Sequence, residues 1–236
     1  MQTTSQMINS PDNKQPSRQP SRKKAILWDN DGVLVNTEHL FYAANRDYFA
    51  GHGIDLTPQH FFDWFLQANH GAWHLLPPHQ QEHIPALRAA RNRLYSERLR
   101  SESQLLTPHI GTVLAELAPL FRMAVVTSAR HEDFHIIHRN THLLHHFEFV
   151  LTDEDVPNSK PAPDPYLLGL QRLALPAEQC LVVEDSPRGL QAAIAAGIDC
   201  IAMRGPLTEG YAFPGALCVV NSNPELLQVI RTLQAN

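Results

Sequence analysis

Residues 25–38, AILWDNDGVLVNTE, begin with an unbroken apolar run and stop at two aspartates separated by Asn30, with Gly32 behind them. A short run without polar alternation reads as a strand buried on both faces, the pattern of a parallel sheet. Two carboxylates are a poor ending for such a strand, because desolvated like charges are costly unless something offsets them. Asp29 and Asp31 share a face of an extended chain while Asn30 points away, and Gly32 lets the backbone turn off sharply. Turn-forming aspartates that cap the next segment would look the same at this point.

Working outward, similar apolar runs lie at 123–127, 147–151, 180–183, 198–203 and 217–220, with helical spacing at 109–118, 131–143, 164–173, 187–196 and 224–234. Strands alternating with helices of this length predict an α/β fold, a doubly wound, mostly parallel, Rossmann-like sheet. Between 40 and 105 only helical patterns occur, at 37–51, 57–67, 70–75 and 85–101, with Pro77-Pro78 as a break. That segment is expected to be a helical cap inserted after the first strand. The catalytic core is then 23–39 and 106–236, and residues 1–22, rich in Ser, Gln, Asn and Pro, are expected to be a disordered tail.

The 236-residue chain has a formal charge of −5, which offers no basic footprint for nucleic acid. No run approaches the length of a membrane span, and the N-terminal stretch lacks the apolar centre of a secretory signal. Three cysteines without framework spacing, Cys180, Cys200 and Cys218, are expected as reduced thiols in a cytoplasmic protein. A monomer is the expected state.

In open parallel sheets ligands bind at the carboxyl ends of the strands. Four polar clusters fall there: DNDG after the first strand, Thr127-Ser128 after MAVV, Ser159-Lys160 in the loop after the third, and Glu184-Asp185-Ser186 after CLVV. Of the paired acids, one can attack phosphorus while the other manages a proton. Acids converging on one edge call for a cation, and an all-oxygen set suits Mg²⁺. Thr127 and Ser128 can bind phosphate oxygens or cap the next helix; Lys160 can hold phosphate or lie in solvent.

DNDGVL, a strand-terminal Thr, SKPAPD and VVEDSPRG, in this order, resemble the four motifs of the haloacid dehalogenase-like hydrolase superfamily, and most closely its beta-phosphoglucomutase-like branch. The resemblance implies that Asp29 is a nucleophile forming an aspartyl-phosphate and that Asp31 is the general acid and base. It implies that Mg²⁺ is held by Asp29, the Asp31 carbonyl and Asp185, with Glu184 assisting, and that Thr127 and Lys160 bind the transferring group. The partner is a small phosphorylated molecule.

The branch holds both phosphatases and sugar-phosphate mutases. Mutases resemble one another in a histidine four residues after the threonine of the first motif, where this chain has Phe41. They also carry a cap arginine shortly after a cap glycine, where this chain has His74. Both departures, with Glu38 after Thr37, favour a phosphatase; a mutase is the alternative, and a non-catalytic protein would need damaged motifs. Asn36 replaces the family's usual aspartate. Asn69, His70, Trp73 and His74 around Gly71 are candidate substrate contacts of the cap, or, for Trp73, part of the cap core. The histidines of 131–146 read as a polar helix face.

Overall fold

The computed structural model describes residues 22–235. The tail expected at 1–22 therefore lies outside the described residues, except for Arg22. The chain runs β1 (Ala25–Trp28), α1 (Glu38–Ala50), α2 (Pro58–Phe61), α3 (Pro78–Gln81), α4 (Ile84–Ser101), α5 (Ile110–Leu117), β2 (Arg122–Val126), α6 (His131–His138), β3 (Val150–Leu151), α7 (Asp164–Leu173), β4 (Cys180–Glu184), α8 (Pro187–Ala195), β5 (Asp199–Met203), β6 (Cys218–Val220) and α9 (Asn223–Ala235). All strand pairs are parallel, and the order is β3-β2-β1-β4-β5-β6.

The two-residue period of a strand divides its side chains between two apolar layers. Ile26 and Trp28 join Met123, Val125, Leu181 and Val183 on the side of α4, α5 and α9. Ala25 and Leu27 join Ala124, Val126, Cys180 and Val182 under α7 and α8. Both faces are covered, which is why the strands read as apolar runs without alternation. The strand order reverses at β1 and β4, and the crevice at their carboxyl ends is where such a sheet binds ligands.

Among the described residues, the segment between β1 and β2 contains helices and no strand. It carries its own apolar cluster, built on Phe49, Leu56, Phe61, Phe65 and Trp73. Its two connections to the sheet run side by side: Asn36 N–H donates to Leu105 C=O at 2.7 Å, and Thr107 N–H to Leu34 C=O at 3.1 Å.

Several sequence expectations differ at their ends. The helix expected at 131–143 stops at His138, because Asn140 and Thr141 favour turns and His142 is left-handed at φ 53°. The segment at 70–75 is only a 3₁₀ turn, Trp73–Leu75, since Asn69 and Gly71 both have positive φ and Pro77 follows. The helix at 57–67 begins as α2 and widens into π turns at Phe62–Gln67. The third strand shortens to Val150–Leu151 at the sheet edge, although Glu148 N–H still bonds Met123 C=O at 2.8 Å.

Candidate active site

Asp29 follows β1 directly, and its N–H donates to Val183 C=O of β4 at 2.9 Å, which fixes it at the point where the strand order reverses. Lys160, 2 % exposed, reaches in from the loop before α7. Its ammonium gives all three protons to named acceptors: Asp29 Oδ1 at 2.8 Å, Glu184 Oε1 at 2.6 Å and Val126 C=O at 2.8 Å. The lysine is thus a positioned charge between two acids.

Glu184, fully buried at the end of β4, is saturated with donors. Oε1 accepts from Lys160 and, at 2.9 Å, from the Tyr166 hydroxyl; Oε2 accepts from the Ser186 hydroxyl at 3.1 Å and from the Asp185 and Ser186 N–H groups. Gly189 leaves the room for this carboxylate: a Cβ there would lie 1.9 Å from it.

Asp31 is held by other partners. Thr37 occupies the cap position of α1 but makes no capping bond; its hydroxyl donates instead to Asp31 Oδ1. Thr127 Oγ1 and Asn30 Nδ2 approach Asp31 Oδ2 at 3.4 Å and 3.2 Å. Asn30 does point away from the cavity, and its Oδ1 accepts from Nε2 of buried His138 at 2.7 Å. Burial lowers His138 to about 4, so the ring is neutral.

The electrostatics are those of crowded acids. Burial, then the Glu184 charge, pushes the Asp29 carboxyl up to about 7 against the pull of Lys160. Burial alone would also raise Glu184, but Lys160 and the Tyr166 hydroxyl hold it below its ordinary value. For Lys160 burial works against the charge, and Asp29 and Glu184 outweigh it, so its pKa is raised. Asp185 is raised well above the carboxylate range by burial and then by the charges of Glu38 and Asp29; burial brings Glu38 to about 7.

The donor set fits a hard divalent cation. Asp29, Glu184 and Asp185 bring one carboxylate oxygen each within 4.8 Å of one another. Asp185 Oδ2 is buried without a hydrogen-bond partner, and the space before it exists because residue 32 is glycine: a Cβ there would sit 1.8 Å from that oxygen. Buried unpartnered oxygens are uncommon, and a group that the cluster awaits is the ordinary explanation.

One cavity is lined by Asp29, Asp31, Thr127, Ser128, Lys160 and Asp185, together with Glu38, Phe41, Tyr95 and Arg188. Ser128 Oγ is buried there with no partner. Thr127 Oγ1 accepts from Ala129 N–H at 3.0 Å, so it also organises the turn after β2. A second cavity adjoins this one and shares Phe41, Tyr95, Ser128, Ala129 and Arg188 as walls. Asn69, His70 and Trp73 line it, but His74 does not. His74 packs on Trp64 and His70 instead, and Trp73 lies in the apolar cluster of the helical segment. Asn69 is committed to protein partners: Nδ2 donates to Lys160 C=O at 2.7 Å, and Oδ1 accepts from Arg188 at 2.6 Å.

Sequence reasoning left out Glu38, Tyr95, Tyr166, Arg188 and, in the second cavity, Arg88 and Arg91. Glu38 and Arg188 stood inside motifs already marked and could have been found. Tyr166 and the two arginines occupy ordinary helical positions with no local signal.

The family model described as haloacid dehalogenase-like hydrolase matches residues 26–203. The chain is 30 % identical over 214 residues to protein CbbY of Cupriavidus necator, covering 84 % of each chain. It is 30 % identical over 223 residues to the phosphorylated carbohydrates phosphatase of Thermotoga maritima, covering 88 % of this chain and 98 % of that one. The crystal structure of CbbY from Rhodobacter sphaeroides in complex with phosphate superposes with a TM-score of 0.64 at 29 % identity, over 86 % of this chain and 96 % of the other. With the motif residues gathered at one sheet edge and a family match spanning most of its length, the chain belongs to the haloacid dehalogenase-like hydrolases, in their phosphatase branch.

Proposed function

We propose that the chain is a Mg²⁺-dependent phosphatase that hydrolyses a small phosphorylated metabolite, a sugar phosphate, through an aspartyl-phosphate on Asp29. The observation that carries this reading is the convergence of Asp29, Asp31, Thr127, Ser128, Lys160 and Asp185 on one cavity.

Lys160 holds Asp29 by Oδ1, which leaves Oδ2 to attack phosphorus as the bond to the leaving oxygen breaks. Asp31 gives its proton to that oxygen. It then takes a proton from water, the water oxygen bonds to phosphorus, and the bond to Asp29 breaks to release inorganic phosphate. Ser128 Oγ and Thr127 Oγ1 hold the phosphoryl oxygens, and the Lys160 ammonium, its protons committed to Asp29, Glu184 and Val126, adds its positive charge beside them, so most of the rate comes from placement and charge. Asp29, Asp185 and the Asp31 carbonyl would hold Mg²⁺, which would supply positive charge to offset the acids and the phosphoryl group. Glu184, with both oxygens taken by donors, serves this centre by fixing Lys160.

Residues 40–105 are read as a cap over the core, with Asn69 joining it to the Lys160 loop. Phe41 in place of a proton-carrying histidine leaves the aspartyl-phosphate open to water, which favours hydrolysis over mutase chemistry. The three cysteines are unpaired, in keeping with a cytoplasmic setting.

The test is phosphate release by purified protein with Mg²⁺ from a panel of phosphorylated metabolites, beside the Asp29→Asn variant. The variant should lose at least about a thousandfold in kcat while remaining folded. Near-normal turnover in folded Asp29→Asn protein would remove the nucleophile from its assigned role.

A further inference from the structure

His138, on α6, is 6 % exposed, and its ring packs on Phe134 at a centroid distance of 4.4 Å. The histidines of 131–146 read in sequence as a polar face, but this one leaves that face for the interior. It lines neither cavity, yet it stands two hydrogen bonds from Asp31. Its Nε2 meets Asn30 Oδ1 at 2.7 Å, and Nδ2 of the fully buried Asn30 approaches Asp31 Oδ2 at 3.2 Å. The protons of this chain follow from what each group can do. An ionised carboxylate only accepts, so Asn30 must turn its amide N–H, and not its oxygen, toward Asp31. Oδ1 then faces the ring and requires a proton on Nε2. A neutral imidazole has one N–H, which leaves Nδ1 to accept from the Thr141 hydroxyl at 2.9 Å. Burial, which brings His138 to about 4, keeps the ring in that neutral form.

Asp31 needs this second hold. Thr37 fixes Oδ1, and a carboxyl fixed at one oxygen still swings about that bond. Thr127 Oγ1, 3.4 Å from Oδ2, is at the limit of a hydrogen bond, so Asn30 is the nearer restraint on that oxygen. The backbone beneath is itself tied down: Asn30 C=O accepts from the N–H groups of Val33, Leu34 and Val35 at 3.3, 2.8 and 3.1 Å. We infer that His138 is a positioning residue for the proton transfers, orienting the Asp31 carboxyl through Asn30. The inference rests on the acid–base role proposed for Asp31, and it adds a residue outside the cavity on which that role depends.

The test compares p-nitrophenyl phosphate with phenyl phosphate, two probes of nearly one shape whose leaving groups differ in their need for a proton. The full chain with Mg²⁺ carries His138→Leu, His138→Asn or His138→Gln, with Asp31→Asn as the reference. A misplaced acid matters most for the more basic phenolate. In His138→Leu, kcat/KM for phenyl phosphate should fall at least about tenfold, part of the roughly 10²–10⁴-fold that a general acid supplies, and for p-nitrophenyl phosphate by less than about threefold. Glutamine can place an amide N–H where Nε2 stood, and asparagine, one carbon shorter, cannot. His138→Gln should therefore recover most of the loss, and His138→Asn little of it. If His138→Leu does not fold, the contrast between the two amides decides. Suppose Asp31→Asn discriminates between the leaving groups as an acid should. Equal losses on both probes in folded His138 variants, or asparagine serving as well as glutamine, would then overturn the inference alone. An Asp31→Asn protein that treats the two probes alike would remove the acid–base role itself, and the inference with it.

Discussion

Single side chains here work through the room that others leave. Gly189 is the clearest case, because alanine is the better helix former by roughly 1 kcal/mol and Gly189 sits inside α8. Gly189→Ala should nonetheless be inactivating: the new methyl would lie 1.9 Å from the Glu184 carboxylate, which must shift and release Lys160 from Asp29. We expect kcat to fall by at least about a hundredfold, the scale of losing a positioned charge, with a circular-dichroism spectrum like that of the parent. Wild-type kcat in this variant would mean that Glu184 does not govern Lys160. Asp31→Asn acts on a different step. An amide cannot take a proton from water, so with p-nitrophenyl phosphate, whose leaving group needs little protonation, a burst of one nitrophenolate per enzyme should precede slow turnover, the second step losing about 10²–10⁴-fold. Linear release without a burst would argue against separate duties for Asp29 and Asp31.

At the scale of elements, the same four strand ends that the sequence marked carry the site, and the physical reason is simple. Strands buried on both faces must be apolar throughout, so a charge at their ends stands out in the sequence. Edge strand β3 and the turn at Trp73–Leu75 lack that constraint, and their limits were misjudged. Tyr166, which bonds Glu184, and Arg88 and Arg91 of the second cavity were invisible for another reason. They come from α7 and α4, whose residues meet the strand ends only after the helices pack, and no spacing along the chain encodes that. Asn69 joins the helical segment to the core through bonds of 2.7 Å to Lys160 C=O and 2.6 Å to Arg188. Its φ of 54° is one that asparagine and glycine tolerate best. Asn69→Gly therefore keeps the backbone and deletes both bonds. We expect kcat/KM to drop roughly thirtyfold, in line with two lost hydrogen bonds of about 1 kcal/mol each, and Asn69→Ala to lose thermal stability in addition. Unchanged kcat/KM in Asn69→Gly would show that these bonds do not serve the closed site.

For the whole molecule, the acids of the site tie the stability of the fold to pH and to the cation. Asp29 stands at about 7 in the folded protein against an ordinary 3.8, and Glu38 at about 7 against 4.5, both raised first by burial. A raised carboxyl means that the folded state holds more protons than the unfolded chain between the two values. The metal-free fold is thus favoured at the acid end and loses that advantage as pH climbs from about 4 to about 7. His138 works in the opposite sense: burial lowers it from 6.5 to about 4, so its contribution disappears as pH falls through that range. The two trends overlap in a plain melting curve, and a difference measurement separates them. His138 lies outside the acid cluster, whereas a divalent cation requires the carboxylates ionised and must displace protons below pH 7. The gain in Tm from saturating Mg²⁺ should therefore be larger at pH 7.5 than at pH 5 by at least roughly 3 °C, since a chain of this size moves about 2–4 °C per kcal/mol. In Asp185→Ala, which removes the unpartnered oxygen facing Gly32, the gain should shrink at both pH values. The same Mg²⁺ gain at pH 5 and pH 7.5 would mean that the acids are ionised without the cation, and the crowding at the end of β1 would then need another source of relief.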